Sequence, residues 1–457
     1  MADRRATACV VLAAGKGTRM VSDIPKVLHR LAGRTLLGHV LAAVGELAPQ
    51  RTVVVVSPDM AELPKLAPGA DIAVQPDRRG TGDAVRRAAA HLEGFAGTVV
   101  VVFGDTPLVT AATLGRLAGC IDADTAVAVF GMRPDDAGRY GRLVVDTASR
   151  LERIVEFADA SAAERAIALC NGGFMAFDSA RLPDLLDALQ DTNAQGEFYL
   201  TDTVAAARAR GWGCAVVEGD AVEALGVNTR GDLALVGRHH QDRLRTAALA
   251  AGVTLVDPAT TYLSADTTFG RDVVIEPMVV IGPGVALGDR AHVLSFSHLE
   301  GAAVDADVSV GPFARLRPGA HLADGAKVGN FVEVKNAEVG AGAKVSHLSY
   351  IGDADIGARA NIGAGTITCN YDGFLKYRTT VGEDAFIGSN TALVAPVTVG
   401  DRAMVGAGST IARPVAADAM AMTRAPQTER EGWAAKFRRV MSGEKARRAA
   451  RKAGNGN

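Results

Sequence analysis

From Ile275 to Ile411 an aliphatic residue returns every six positions, a spacing that leaves few ways for the last third of the chain to fold. The first run is Ile275, Ile281, Leu287, Val293 and Leu299. After a five-residue step the register resumes at Val304, Val310, Leu316, Leu322, Val328 and Val334. Further short steps lead to Val339, Val345 and Ile351, then to Ile356 and Ile362. It breaks at CNYDGFLKYRTT and returns at Val381, Ile387, Leu393, Val399, Val405 and Ile411. A period of six suits neither a helix nor a flat strand. It suits a parallel β-helix, in which each hexad is one short strand and a corner with its aliphatic residue inward. Three hexads per coil would stack roughly seven coils at about 4.8 Å each, a three-sided prism about 34 Å long. Such a solenoid can serve merely to assemble subunits, so function has to be read from the residues that interrupt it.

Upstream the pattern is different. Residues 1 to about 230 alternate apolar runs (ACVVLAAG, RTVVVVS, DIAVQ, TVVVVFGD, TAVAVFGM) with helix-type segments such as RTLLGHVLAAVGELA and GDAVRRAAAHLEGF. That alternation indicates an α/β domain with a mainly parallel sheet, whose ligands bind at the carboxyl ends of the strands. One amphipathic helix from Arg230 to about Ala251 connects it to the hexads, which divides the chain into 1–230, 231–251 and 252–457. At 48% hydrophobic, 457 residues fill two or three cores, and a net charge of −2 implies no global attraction to nucleic acid or membrane. Five scattered cysteines (Cys9, Cys120, Cys170, Cys214, Cys369) without a CxxC spacing argue against disulfides or structural zinc and fit a reducing cytoplasm. Arg4 and Arg5 before ATACVVLAAG superficially resemble a signal peptide, but the apolar run soon reaches charged GKGTRM and reads as a buried first strand. No stretch reaches the roughly 20 apolar residues of a membrane span. From Trp433 onward Lys436, Arg438, Arg439, Lys445, Arg447, Arg448, Arg451 and Lys452 face a single Glu444. This reads as a solvated, frayed basic tail, with an anion-binding arm as the alternative.

The first strand runs through Leu12, Ala13 and Ala14 into GKGTRMVSDIPK. Gly15 and Gly17 let the backbone turn tightly and aim N–H groups at phosphate oxygens. Lys16, Arg19 and Lys26 add three positive charges to the same loop. The spacing fits neither the dinucleotide fingerprint nor a P-loop. GxGTRM followed by PK resembles the sugar-1-phosphate nucleotidyltransferases, whose loop wraps a nucleoside triphosphate. The resemblance implies that Arg19 and Lys26 stabilise charge on the phosphates, and that Gly104 and Asp105 at a strand end belong to the site. Asp105 would hold Mg²⁺ with Asn228 in GVNTR. Gln75, Gly80 and Thr81 match the segment that reads the base, uracil in the nearest relatives. Gly141, Glu156 and Asn171 match positions that hold the sugar. Phe103 stands where the family often has Tyr, and Gly172 where Thr commonly follows the Asn; both departures are expected to alter sugar fit.

The hexads are interrupted by GPFARLRPGA, VGNFVEVKNA, KVSHLSYIGD and NIGAGTITCNYDG. Together with the N-terminal motifs they resemble, over almost the entire chain, the bifunctional bacterial N-acetylglucosamine-1-phosphate uridyltransferases fused to a glucosamine-1-phosphate acetyltransferase. The fold so implied is an α/β Rossmann-like nucleotidyltransferase domain followed by a left-handed parallel β-helix. His347 matches the general base, a role suited to imidazole because an amine attacking a thioester must lose a proton near neutral pH. Arg317 and Lys335 match the residues that hold the substrate phosphate, with Tyr350 and Asn361 completing the amino-sugar site. Ala364, Asn370, Tyr371, Ser389, Ala407 and Arg424 match the acetyl-CoA contacts, and the CNYDGFLKYRTT excursion would cover the site. Between LGDRAHV and VSVGPFARLRPG the chain reads as one coil shorter than well-known family members.

The resemblance further implies a cytoplasmic homotrimer, formed through the C-terminal half, with Mg²⁺ as cofactor and acetyl-CoA and UTP as co-substrates. Two other readings stand beside it: a monofunctional nucleotidyltransferase with a regulatory β-helix, and a non-enzymatic scaffold. The intact HLSYIGD and NIGAGTITCNYDG segments speak against the first, and the retained Lys16, Arg19, Lys26 and Asp105 against the second.

Overall fold

Val and Ala dominate the early apolar runs, and β-branched side chains flanked by polar loops favour strands buried on both faces. In the computed structural model, which describes residues 5–60, 67–147, 150–193 and 195–454, these runs form one sheet. Arg4 and the side chain of Lys452 lie outside the described part. The sheet runs in the order Gly213–Gly219, Thr125–Met132, Cys170–Asp178, Thr98–Phe103, Thr7–Leu12, Arg51–Val56, Asp71–Val74. Pairing is parallel except at Cys170–Asp178, which is antiparallel to both neighbours. A hairpin of Arg142–Val145 and Leu151–Val155 attaches beside it. Thr7–Leu12 sits between two parallel partners, as a buried first strand should. Its residues alternate between two cores: Ala8 and Val10 face one side with the helix Thr81–Ala89, while Cys9 and Val11 face the other with the helices Leu36–Glu46 and Ala111–Gly119.

The connector is a 21-residue helix, Arg230–Ala250, opened by a capping box of Thr229 and Asp232. The chain divides into two compact units, Met1–Asp307 and Val308–Asn457, so the first unit includes the earliest coils of the repeat. There Leu255, Ile275 and Val293 stack in register, as do Phe269, Leu287 and Val304.

The second unit continues as a left-handed parallel β-helix. Val310, Val328, Val345, Ile362, Ile387 and Val405 form one inward ladder, each buried. Leu322, Val339, Ile356, Val381 and Val399 form another. The third shows a step invisible to an aliphatic register: between Ile351 and Leu393 the inward position is Thr368, in the strand Ile367–Cys369. Its hydroxyl is buried yet satisfied, accepting from Gly352 N–H at 2.8 Å and donating to Gly352 O at 3.0 Å. The repeat therefore runs one strand further than Ile362 before the loop leaves it. The basic tail is not frayed: Trp433–Gly454 is a 22-residue helix, exposed over residues 433–451 except at half-buried Glu444, with Trp433 stacked on Phe437. Helical spacing and the Glu444–Arg448 pair one turn apart favour that state over coil.

Candidate active sites

The first site forms where parallel strands end. Leu12 closes its strand, and the loop returns on itself at Gly17, whose φ is +66°. A Cβ there would lie 2.5 Å from Lys26 Cβ, so only glycine lets Lys26 fold against the loop. Lys16, Arg19 and Lys26 share one loop but not one environment. Lys16 and Arg19 are exposed, whereas Lys26 is buried with its ammonium on the Asp105 carboxylate and 3.0 Å from Asn228 Oδ1. A buried ammonium needs a countercharge, and Asp105 supplies it. Val227 N–H donates to Asp105 O at 2.9 Å, which fixes the GVN segment beside the strand end.

Around this group lies a cleft of about 280 Å³ lined by Leu12, Ala13, Ala14, Gly15, Lys26, Gln75, Gly80, Thr81, Phe103 and Asp105. All were expected from the sequence. Arg78 and Glu197 were not. Arg78 donates from Nε to Ala14 O at 2.8 Å and pairs with Asp59, holding the glycine loop from outside. Gln75 is buried and spends both amide hydrogens internally, on Gly80 O at 3.0 Å and Asp83 Oδ2 at 2.9 Å. Its carbonyl oxygen is left as an acceptor.

Thr81, Phe103 and Glu197 also border a second cavity of about 210 Å³, with Glu156, Asn171, Tyr199 and Thr201. Gly141 touches this wall through its own carbonyl, which accepts from Asn171 N–H at 2.8 Å. Gly104, behind the strand end, packs against Ala13. Burial pushes the Glu156 carboxyl above its ordinary range, against the opposing hydrogen bond from Thr201 at 3.1 Å. The expectation for Gly172 needs correction. A Cβ at that position would point into the core, 2.3 Å from the Phe130 ring, so the glycine answers to packing and not to sugar fit. Phe103 does line both cavities.

The second site lies on the β-helix, along two different edges. On one edge Arg317 pairs with Glu333 at 2.7 Å and Lys335 with Asp353 at 3.4 Å. Asp353 also accepts from Asn336 at 2.6 Å and from Asn370. Burial works to raise the Asp353 carboxyl, but hydrogen bonds from Asn336, Asn370 and Lys335 outweigh it and hold it below the usual range. Lys376 joins this group, its amine pushed down by the adjacent Lys335 and, further off, Arg317. Tyr350 Oη lies 3.4 Å from Asn370 Nδ2. Asn370, expected among the acetyl-CoA contacts, is buried beside Tyr350 and Asp353.

Along the other edge the backbone links His347, Ala364, Ser389, Ala407 and Arg424 coil by coil. Gly365 N–H donates to His347 O at 3.2 Å, Asn390 N–H to Ala364 O at 2.7 Å, and Gly408 N–H to Ser389 O at 2.8 Å. Arg424 Nη1 ends the row on Ala407 O at 3.1 Å. His347 is exposed, with Nδ1 2.5 Å from Asn330 Oδ1. Asn361 sits on the strand face that carries Val345 and Ile362, apart from Tyr350. Tyr371 is exposed in the excursion. Asp353 and Asn330 carry no local signal, because polar corner residues are ordinary in hexads and only the neighbour one coil away marks them; Lys376 lies in the excursion, where no register indicates what it meets.

Residues 9–195 match the MobA-like NTP transferase domain, and residues 378–413 match the bacterial transferase hexapeptide (six repeats). The bifunctional protein GlmU of Rhodospirillum rubrum is 57% identical over 437 residues, covering 95% of this chain and 98% of that protein. Those of Paramagnetospirillum magneticum and Xanthobacter autotrophicus are 54% and 53% identical, each over 96% of this chain and 98% of their own. The chain belongs to the bifunctional GlmU family. It is an enzyme with two transferase activities in UDP-N-acetylglucosamine biosynthesis, a uridylyltransferase on the α/β domain and an N-acetyltransferase on the β-helix. That removes the monofunctional and scaffold readings. No helix among the described residues is long and apolar enough to cross a membrane.

Proposed function

We propose that the cleft at Lys26, Asp105 and Asn228 joins N-acetylglucosamine-1-phosphate to UTP, and that the edge headed by His347 acetylates glucosamine-1-phosphate from acetyl-CoA. The observation that carries the first assignment is the convergence of two hard oxygens, from Asp105 and Asn228, on one cationic point now met by the Lys26 ammonium. A carboxylate and an amide oxygen suit Mg²⁺, whose remaining positions go to water and phosphate. Asp105 and Asn228 would hold the ion, which when bound neutralises triphosphate charge. A sugar-phosphate oxygen attacks the α-phosphorus in line, the bond to the bridging oxygen breaks, and pyrophosphate leaves. Positioning and neutralisation carry most of such a rate. Lys26 and Arg19 supply positive charge, and Gly15 keeps the loop open to the phosphates. The free Gln75 oxygen accepts from an imide N–H, which uracil has and cytosine lacks. Glu156 and Asn171 hold sugar hydroxyls.

For acetyl transfer, Arg317, Lys335 and Lys376 form a cationic group suited to a phosphate dianion. His347 takes the amine proton as nitrogen attacks the thioester carbonyl, and the CoA thiolate leaves. Ala364, Ser389 and Ala407 offer a row of small side chains along which an extended pantetheine arm can lie, with Tyr371 and Arg424 beside it. The phosphate group and the histidine occupy different edges of one prism, which favours sites completed by a neighbouring subunit in a cytoplasmic homotrimer.

The two activities should fail separately. His347→Ala should lower acetyl transfer about 10²–10⁴-fold and leave uridylyl transfer within a few-fold. Asp105→Ala should do the reverse, and EDTA should stop UDP-sugar formation while acetylation persists. Either substitution silencing both reactions in a folded protein would refute the division of labour.

A further inference from the structure

We infer that Asn330 is a positioning residue for acetyl transfer: it fixes the tautomer and ring orientation of His347. The inference rests on the reading of His347 as the base. Three separate features of the fold put the two residues together. Asn330 and His347 are register partners on adjacent coils, at the ends of the strands Lys327–Asn330 and Lys344–His347. The main chain locks that register, with Leu348 N–H donating to Asn330 O at 3.0 Å. Immediately before Asn330, Gly329 brings the coils unusually close: a Cβ there would lie 2.0 Å from Ser346 O. No other residue type permits that approach, so the side chains that follow are pressed together.

The result is a contact of 2.5 Å between Asn330 Oδ1 and His347 Nδ1. An amide oxygen can only accept, so Nδ1 carries the hydrogen, and in the neutral ring Nε2 then presents its lone pair. That is the form a base needs, and Nε2 is the ring atom directed away from the coil below. The histidine backbone is held from above as well, its carbonyl accepting from Gly365 N–H at 3.2 Å and from Ser349 Oγ at 2.9 Å. The ring is thereby the one movable part of an otherwise fixed residue, and Asn330 removes that freedom. A neutral amide does this without placing a fixed negative charge on the base, in contrast to a carboxylate partner.

The test compares three variants of the full-length enzyme with glucosamine-1-phosphate and acetyl-CoA. Asn330→Leu keeps the volume and removes the acceptor; kcat for acetyl transfer should fall about 10–100-fold with KM within two-fold, as expected for a misdirected reacting group. Asn330→Asp keeps an acceptor for Nδ1–H and should recover most of kcat, with the acid limb of the rate profile moved to higher pH by the added charge. Nitrogen NMR of labelled histidine should find His347 mainly as the Nδ1–H tautomer in the native protein and a mixture in Asn330→Leu. Native kcat in Asn330→Leu, or a native His347 that is mainly Nε2–H, would overturn the inference. Should His347→Ala keep its acetyl transfer, the failure would lie with the base assignment itself.

Discussion

His240, half-buried with both ring nitrogens out of reach of solvent, makes stability depend on pH at a single side chain. Its ring lies 4.5 Å from that of His39, edge to face, in the seam between the connector helix and the α/β domain. His39 is satisfied by Leu31 O at 2.7 Å, whereas neither ring nitrogen of His240 has a hydrogen-bond partner among the described residues. Burial, then His39, Arg243 and Arg34, push His240 down to about 4; burial lowers His39 as well. The folded state therefore refuses a proton that the unfolded chain accepts near 6.5. The corresponding stability is fully present above that value and is lost as pH falls toward 4, an upper bound of about 3 kcal/mol for His240. Thermal melting followed between pH 7 and pH 4 should show the decline, and His240→Phe should flatten it. An unchanged slope in the variant would assign the acid sensitivity elsewhere. The same residue scale separates what was legible from what was not. Lys26 and Asp105 stand at glycine-loop and strand-end positions that are visible locally, whereas Asn228 is picked out only by the resemblance of GVNTR to the family motif. That Lys26 spends its charge on Asp105 was not legible, since the pair is made across 79 positions of sequence.

Among the elements, the connector helix does more than join two parts. Its capping box has Thr229 Oγ1 accepting from Asp232 N–H at 3.1 Å and Asp232 Oδ2 accepting from Thr229 N–H at 2.8 Å. The same Asp232 oxygen also accepts from Asn228 N–H at 2.9 Å, so the helix start holds a residue proposed for the uridylyl site. Thr229→Ala and Asp232→Ala should each cost about 1 kcal/mol of stability by chemical denaturation. Asp232→Ala alone should raise KM for the metal–UTP complex, because it frees the Asn228 backbone. Equal kinetics in the two variants would reduce the cap to a structural role. Period and strand content identified the hexads and the connector. Thr368 escaped because the inward position was judged by hydrophobicity, and a hydroxyl held by Gly352 can take the place of an aliphatic group. The helical tail escaped because charge density was read as solvation without regard to helical spacing.

For the molecule as a whole, the cations proposed to bind phosphate and the edge headed by His347 lie on different edges of one prism, and a closed ring of identical prisms is the economical way to bring them together. Light scattering should find a trimer of 47.2-kDa chains, about 142 kDa. A fully acetylating monomer would sink the shared-site proposal. What the sequence determined unaided was everything that depends on neighbours in the chain: the six-residue period, the alternation of the α/β domain, the glycine loop and the motif-borne charges. What the tertiary structure decided was everything that depends on neighbours in space. Coils stack residues 17 or 18 positions apart, as Val328 meets Val345 and Val310 meets Val328. Only that stacking places Asn330 on His347 and gathers Asn336, Lys335 and Asn370 around Asp353, while in the α/β domain the pairing of neighbouring strands sets Gly172 against Phe130. Local pattern reports which way a side chain faces; the partner it meets is set by the closure of the fold, which no single stretch of sequence contains.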